Sequence, residues 1–559
     1  LSSLSEPARV AKIFSVFLWY YEKNPLPGSS QMKQPALDTG RIARSASKVS
    51  IAVMCSRVLG LIREQAFAIL FGAGFAFDAF VVAFRIPNLL RDLFGEGALS
   101  AAFVTVFSDY DETRGAEATW KLAGNVIVFI TILLSIITLL GIFFADKIVL
   151  ALVDADFEKI PDKVALTHLL TMIMFPFLIF ISLSSVVMGI LNTKGRFFIP
   201  ALASSFFNLG SIVGGVSLAF LLAKDGQPSI VGMAIGTLIG GMLQLGGQLP
   251  SLYRTNFRFI PRLDLKDPGL HRILKLMAPA VFGLAALQIN IFINTYFASS
   301  LQEGSLSWLN YAFRFFQLPV GVFGVAISVA ALPLLARQAA AKDFSRLKET
   351  FTSSLTMAFS LTIPATVGLI LLADPIIKLI FEHGNFAVTD TLKTAEALRF
   401  YALGLFAYAS VKVMVPVFYA LNDTRYPVAG SFLAVGVNII IILLTITSLQ
   451  HKAMALSISG AMTANFLFLG TILYWKLDGF SLAYLVVGLG KVLAAALAMG
   501  IYLYCLWLFL AGWLQQSILA ELAGVFFLIL SGAIVYGFVL YLLKLHELKM
   551  IIDKLLGRV

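Results

Sequence analysis

Cysteine and histidine are almost missing from the chain, and charge is scarce. Two cysteines, Cys55 and Cys505, both lie in apolar runs and give neither a metal-ligand spacing nor reason to expect a disulfide. The five scattered histidines exclude a histidine-built metal centre. Only 13% of the 559 residues are charged and 59% are hydrophobic, with a mean hydropathy of +0.89. A soluble globular chain sits near half apolar and a quarter charged, so the composition is that of an integral membrane protein. The net charge of +11 invites a nucleic-acid reading, but membrane proteins gather Lys and Arg in cytoplasmic loops, so the surplus has to be located first.

What is abundant is apolar sequence in runs long enough to span a bilayer, which takes about 20 residues. Fourteen such runs are expected, near residues 47–72, 76–108, 122–145, 164–190, 197–223, 228–252, 274–300, 307–336, 350–380, 394–420, 426–449, 453–475, 482–512 and 518–543. They are continuous, whereas strands of a membrane barrel alternate apolar and polar, so the expected fold is all-α. With the N-terminus inside, cytoplasmic segments hold 27 Lys and Arg and outside loops six: Lys147, Lys159, Lys163, Lys224, Lys393 and Lys452. That asymmetry predicts both termini in the cytoplasm and makes the basic surplus mostly a matter of topology. No nucleic-acid partner is expected. Residues 1–46, Ser/Pro-rich and basic, read as a flexible cytoplasmic extension upstream of the first span and not as a signal peptide.

Laid on itself at an offset of about 229 residues, the sequence brings Ala83-Phe84-Arg85 onto Ala312-Phe313-Arg314 and Phe94-Gly95 onto Phe323-Gly324. At nearly the same offset Leu191-Asn192 meets Leu421-Asn422, and Arg196 meets Arg425. A duplication of a six-helix unit follows. An even number of helices makes the repeats parallel, as in some secondary transporters, with the substrate path expected between them. This divides the chain into 47–252, 253–475 and an appended helix pair with the C-terminal tail, 476–559.

Charges stand where a bilayer penalises them. The first two spans hold Arg57, Arg63, Glu64, Asp78, Arg85, Arg91, Asp92 and Glu96, on the order of 10 kcal/mol against insertion even with half at the interfaces. They must line a hydrated cavity or pair with one another. Asp78, Arg85 and Asp92 are spaced by seven and fall on one helical stripe, with Glu96 a turn beyond. For the acids, Arg85 and Arg91, ion pairing that holds helices together and a role in gating or in the cavity are both open; Glu96 and Asp78 are candidate gate latches. Arg57, Arg63 and Arg314 are expected to be unpaired, and arginine grips phosphate bidentately, so they predict an anionic substrate. Gln288, Asn290, Asn294 and Asn438 read as interhelical hydrogen-bonding groups.

The run Ser56-Arg57-Val58-Leu59-Gly60 with Arg63-Glu64, the stretch FGAGFAFDAFVVAFRIPNLLRDLFGEGALSAAF from Phe71 to Phe103, and the stretches Phe175 to Ala201 and Phe297 to Pro333 resemble the MurJ/MviN family, bacterial flippases of the peptidoglycan precursor lipid II. The resemblance runs from about Ser47 to the C-terminus. It implies a fourteen-helix exporter fold with two six-helix lobes in a V and a groove made with the last two helices for the lipid tail. It further implies that Arg57, Arg63 and Arg314 engage the substrate pyrophosphate, that Asp78, Arg91 and Glu96 are functionally sensitive, and that Glu96 takes part in gating. The chain departs from the family twice. Phe313 stands before Arg314 where some relatives have Asp, and Ile442 stands a turn after Asn438 where sodium-binding relatives carry an acid.

The expected activity is therefore lipid II export by alternating access across the bacterial inner membrane, with no enzyme chemistry and no cofactor. Its driving force is the membrane potential, with a monovalent cation as second candidate. Lipid II, membrane lipids and the peptidoglycan-synthesis machinery are the expected partners. With a cytoplasm-negative potential, exporting negative charge gains about 2.3 kcal/mol per charge per 100 mV. Two rivals remain: export of another anionic lipid-linked oligosaccharide on the same fold, and a membrane glycosyltransferase. The second would want carboxylates on a surface loop with room for sugar chemistry, and the outside loops are short.

Overall fold

The computed structural model describes residues 39–514, 516–545 and 547. Within these the protein is all helix. The expected extension lies outside the described residues up to residue 38, and the first helix begins at Thr39, eight residues ahead of the expected first span. In chain order the helices are α1 (Thr39–Phe71), α2 (Phe75–Arg91), α3 (Ala98–Thr113), α4 (Gly115–Phe143), α5 (Ala145–Leu152), α6 (Ala155–Glu158), α7 (Lys163–Met174), α8 (Phe177–Thr193), α9 (Phe198–Lys224), α10 (Ile230–Gly246) and α11 (Leu249–Tyr253). There follow α12 (Pro268–Ser299), α13 (Ser305–Pro319), α14 (Val325–Ala340), α15 (Phe344–Leu371), α16 (Ala373–Phe381), α17 (Val388–Ala402), α18 (Leu405–Ala420), α19 (Arg425–Leu449), α20 (His451–Lys476), α21 (Leu482–Leu514) and α22 (Ile518–Leu542). Among the described residues ten helical stretches are long and apolar enough to cross a membrane, or eleven when α17 and α18, which meet at a 44° bend, count as one. The fold is thus an all-α, multi-pass membrane fold. The charge-bearing stretches α1 and α2–α3 are not in that set.

The described residues form two compact units, meeting in sequence at Ser307 and Trp308. In the first, α9 and α10 pack along a ridge of small residues. A Cβ on Gly236 would stand 2.4 Å from the Cα of Gly215 and 2.9 Å from the carbonyl of Ser211. Backbones approach this closely only when both faces lack side chains, the usual device for joining helices in lipid. Gly236→Leu is expected to push α9 and α10 apart at a cost of about 1–3 kcal/mol, read as a lower unfolding midpoint on heating the protein in detergent. An unchanged midpoint would refute this packing. Helix α1 lies along α9, where the Asn208 amide donates to the carbonyl of Ser56 at 3.1 Å.

In the second unit α15 is central. Its Leu355 and Phe359 share a core with Val492, Met499 and Leu503 of α21, and the Tyr536 hydroxyl of α22 donates to the carbonyl of Ser360 at 2.7 Å. The pair α21–α22 is thereby fastened to α15, with Lys378 of α16 and Glu521 of α22 in an ion pair at 3.4 Å. In the loop between α18 and α19, a hydrogen bond from Lys476 holds the Asp423 carboxyl below its usual range.

Two π-turns interrupt the helices, Asp92–Glu96 between α2 and α3 and Val320–Gly324 between α13 and α14. A π-turn leaves backbone groups unmatched, and such bulges recur at functional sites. In the first, the hydroxyl of Ser185 on α8 donates to the carbonyl of Gly95. The two turns start 228 residues apart, one short of the repeat offset.

Candidate functional site

The spacing that put Asp78, Arg85 and Asp92 on one stripe does not make them partners. Asp92 pairs with its neighbour Arg91 at 3.1 Å and accepts from the amide of Gln288 on α12 at 3.3 Å. Arg91 is thus in an ion pair. Asp78 is 2% exposed and binds elsewhere: Lys163 of α7 lies 3.1 Å from Oδ2, the backbone N–H of Gly304 donates to Oδ2 at 2.8 Å, and Ser307 donates to Oδ1 through its N–H at 3.0 Å and its hydroxyl at 2.6 Å. Four donors on one carboxylate leave it fully satisfied although buried. Arg85 is half-buried on α2.

The bonds at Gly304 and Ser307 have a simple origin. The N–H groups at the start of a helix have no partners within it and carry about half a positive charge. Asp78, on α2, supplies the missing acceptor to the start of α13. Glu303, just before α13, returns the favour: its Oε1 accepts from the N–H of Phe75, the first residue of α2, at 3.0 Å. Two helix starts that would repel are held together by an exchange of carboxylates. Asp78 and Ser307 are 229 residues apart, the offset at which the sequence matches itself.

The arginines behave differently from one another. Arg57 is exposed on α1 and Arg314 exposed on α13. Arg63 corrects the expectation of an unpaired arginine: it bonds to the adjacent Glu64 at 2.8 Å, and its guanidinium lies 5.3 Å from the Phe207 ring centre. Neighbouring positions on a helix point 100° apart, which hid this pair from a face-counting argument, but a long arginine bends across that angle. The side chain of Glu96 lies outside the described residues. The amide of Asn294 donates to the carbonyl of Asn290 at 2.7 Å within α12, so it joins no second helix.

Sequence reasoning missed three participants. Lys163 was assigned to an outside loop, yet is 1% exposed. Glu303 sits in a turn and Ser307 in the first turn of α13, and neither carried a signal as a charge motif. As for a coupling cation, among the described residues no group of three or more His, Cys, Asp or Glu could hold one. Asn438 is fully buried with both amide atoms unbonded, and the side chain one turn on is the equally buried Ile442, so a cation there would lack a carboxylate.

A multi-pass helical bundle that buries charged side chains, Glu64 on α1 and Asp78 on α2, is the build of a membrane transporter. A sequence model of the family described as "Lipid II flippase MurJ" matches residues 67–524. The chain belongs to the MurJ family of lipid II flippases. It is 33% identical over 512 residues to a probable lipid II flippase MurJ of Buchnera aphidicola, covering 91% of this chain and 98% of that one. It is 34% identical over 508 residues to its counterpart in Haemophilus influenzae, covering 88% and 98%. A solved structure titled "Lipid II flippase MurJ, inward closed conformation" superposes with a TM-score of 0.72 at 30% identity over 88% of this chain and 97% of that one. A multidrug transporter of the MATE family, at a TM-score of 0.65 and 16% identity over 76% of this chain and 95% of that one, shares the fold. The protein is therefore a transporter of a lipid-linked precursor and not an enzyme, a multi-pass component of the inner membrane.

Proposed function

We propose that this chain moves lipid II from the cytoplasmic to the outer leaflet by alternating access, with Arg57, Arg63 and Arg314 neutralising the pyrophosphate. Membership of the MurJ family carries the reading, and the exposure of Arg57 on α1 and Arg314 on α13 supports it, because an accessible guanidinium can meet an incoming phosphate. Arg63, paired with Glu64, reaches the head group by exchanging one anion for another. The architecture we infer has fourteen spans: lobes 47–252 and 253–475 related by duplication, and a pair with the C-terminal tail at 476–559, both termini cytoplasmic. The near-equal spacing of the two π-turns supports the duplication. The compact units divide the chain by packing, the lobes by descent.

The exchange of caps between Asp78 and Glu303 acts in this reading as a latch that closes one side of the path and parts when the head group is delivered. Arg85 and Arg91 serve as cavity or helix-holding charges, and Glu96 acts in gating. Membrane potential supplies the drive, and the peptidoglycan-synthesis machinery takes the product. The test is to deplete a bacterium of its own lipid II flippase and supply this chain. Growth and externally accessible lipid II should both return. An inserted chain that leaves lipid II confined inside would overturn the assignment and favour another anionic lipid-linked oligosaccharide.

A further inference from the structure

Asp78 has four donors, and they divide unequally. Three come from the segment 304–307 across the latch, and the fourth, Lys163, comes from α7, which packs against α2 itself. Lys163 is a poor candidate for a surface cation. Its side chain is buried among Phe157 and Phe75, with Nζ 4.7 Å and 5.9 Å from the two ring centres, and Asp78 is its ion-pair partner. A buried lysine and carboxylate together are no better than apolar packing for stability, since desolvation consumes what the pairing gains. The arrangement needs a reason other than stability.

Charge accounting supplies one. The closed latch gathers two carboxylates, Asp78 and Glu303, one ammonium, Lys163, and two helix starts of about half a positive charge each, so the assembly is neutral. When the latch parts, Glu303 leaves with the start of α13, and Asp78 remains against α2 and α7. Without a resident cation, Asp78 would be left as a charge with no donor in a site lined by Phe75 and Phe157, and parting would be penalised. With Lys163 beside it, the carboxylate loses three hydrogen bonds and keeps an ion pair.

We propose that Lys163 is a positioning residue that makes the latch releasable: it competes with the 304–307 segment for Asp78 Oδ2 and holds that carboxylate in the parted state. The inference rests on the latch reading above, and its test separates the two. Ser305 is 1% exposed and its hydroxyl has no partner, so Ser305→Cys in a Cys55→Ser/Cys505→Ser background gives a thiol hidden while the latch is closed. Its rate of labelling by a membrane-impermeant maleimide, normalised to the unfolded protein, reports opening. Lys163→Met is expected to slow labelling about tenfold, because it removes the competitor and leaves only donors that favour closure. Lys163→Arg should label at the parent rate. The pair Asp78→Asn/Lys163→Met, with neither charge, should label faster than the parent.

If the double variant labels no faster than the parent, the latch reading fails. If the double variant is faster but Lys163→Met is not slower, the latch stands and the role of Lys163 is overturned, since a lysine that merely braced the structure would loosen the site when removed. Should Lys163→Met fail to insert, Lys163→Gln, which keeps one N–H for Asp78 without the charge, is expected to slow labelling by a smaller factor, and a rate at or above the parent's would sink the proposal.

Discussion

Arg314→Ala should reach the membrane in normal amount and export almost no lipid II. A guanidinium that meets a pyrophosphate makes charge-assisted, paired hydrogen bonds that no neighbour replaces, and truncating one partner of such a pair costs about 2–5 kcal/mol, at least about thirtyfold in head-group affinity. The position matches Arg85 at the sequence offset of 229 residues, and the residue before it is Phe313. Arg314→Lys separates charge from shape: an ammonium retains attraction to phosphate but cannot form the planar fork, so transport between that of Ala and the parent is expected. The measurement is lipid II accessible from outside in cells depleted of their own flippase, alongside the amount of inserted protein. An alanine variant that exports as well as the parent would remove Arg314 from the substrate path.

The second large effect is on stability. Asp78→Ala removes the acceptor of four hydrogen bonds, leaves the start of α13 uncapped and strands the ammonium of Lys163, which is 1% exposed. Breaking a buried pair from one side costs about 3–5 kcal/mol, far more than a surface salt bridge is worth. A clear drop in the unfolding midpoint in detergent is therefore expected. Asp78→Asn/Lys163→Met should recover most of it, because removing both charges also removes the desolvation each had suffered. Equal midpoints for the alanine variant and the parent would mean that the carboxylate is not held as described. As a control, Lys159→Ala breaks an ion pair with Asp156 in which both side chains are more than half exposed, and should leave the midpoint where it was.

The two predictions draw on differently visible parts of the molecule. Helices could be placed from the sequence because lipid offers the backbone no hydrogen-bonding partner, so every crossing must be a long apolar helix, and a long apolar run is a local pattern. The duplication we propose rests on Ala-Phe-Arg and Phe-Gly recurring at one offset, and the π-turns at Asp92–Glu96 and Val320–Gly324 start within one residue of that spacing. Arg57 and Arg314 could be put forward as candidates because a cation in an apolar helix is costly wherever it points. Partnership was harder. Arg63 was expected alone and is bound to Glu64, since side-chain length, not helical angle, decides whether neighbours meet.

The sequence by itself determined the class of fold, most of its long apolar helices and which residues bring charge into them, all of them consequences of how single segments partition between water and lipid. Only the tertiary structure decided which charges neutralise which. Lys163 lies 85 residues from Asp78, and Ser307 lies 229. Read along the chain, the first is a loop cation and the second one serine among many. Burial turns them into partners, because a carboxylate removed from water must find its donors wherever packing brings them, and packing is a property of the whole chain.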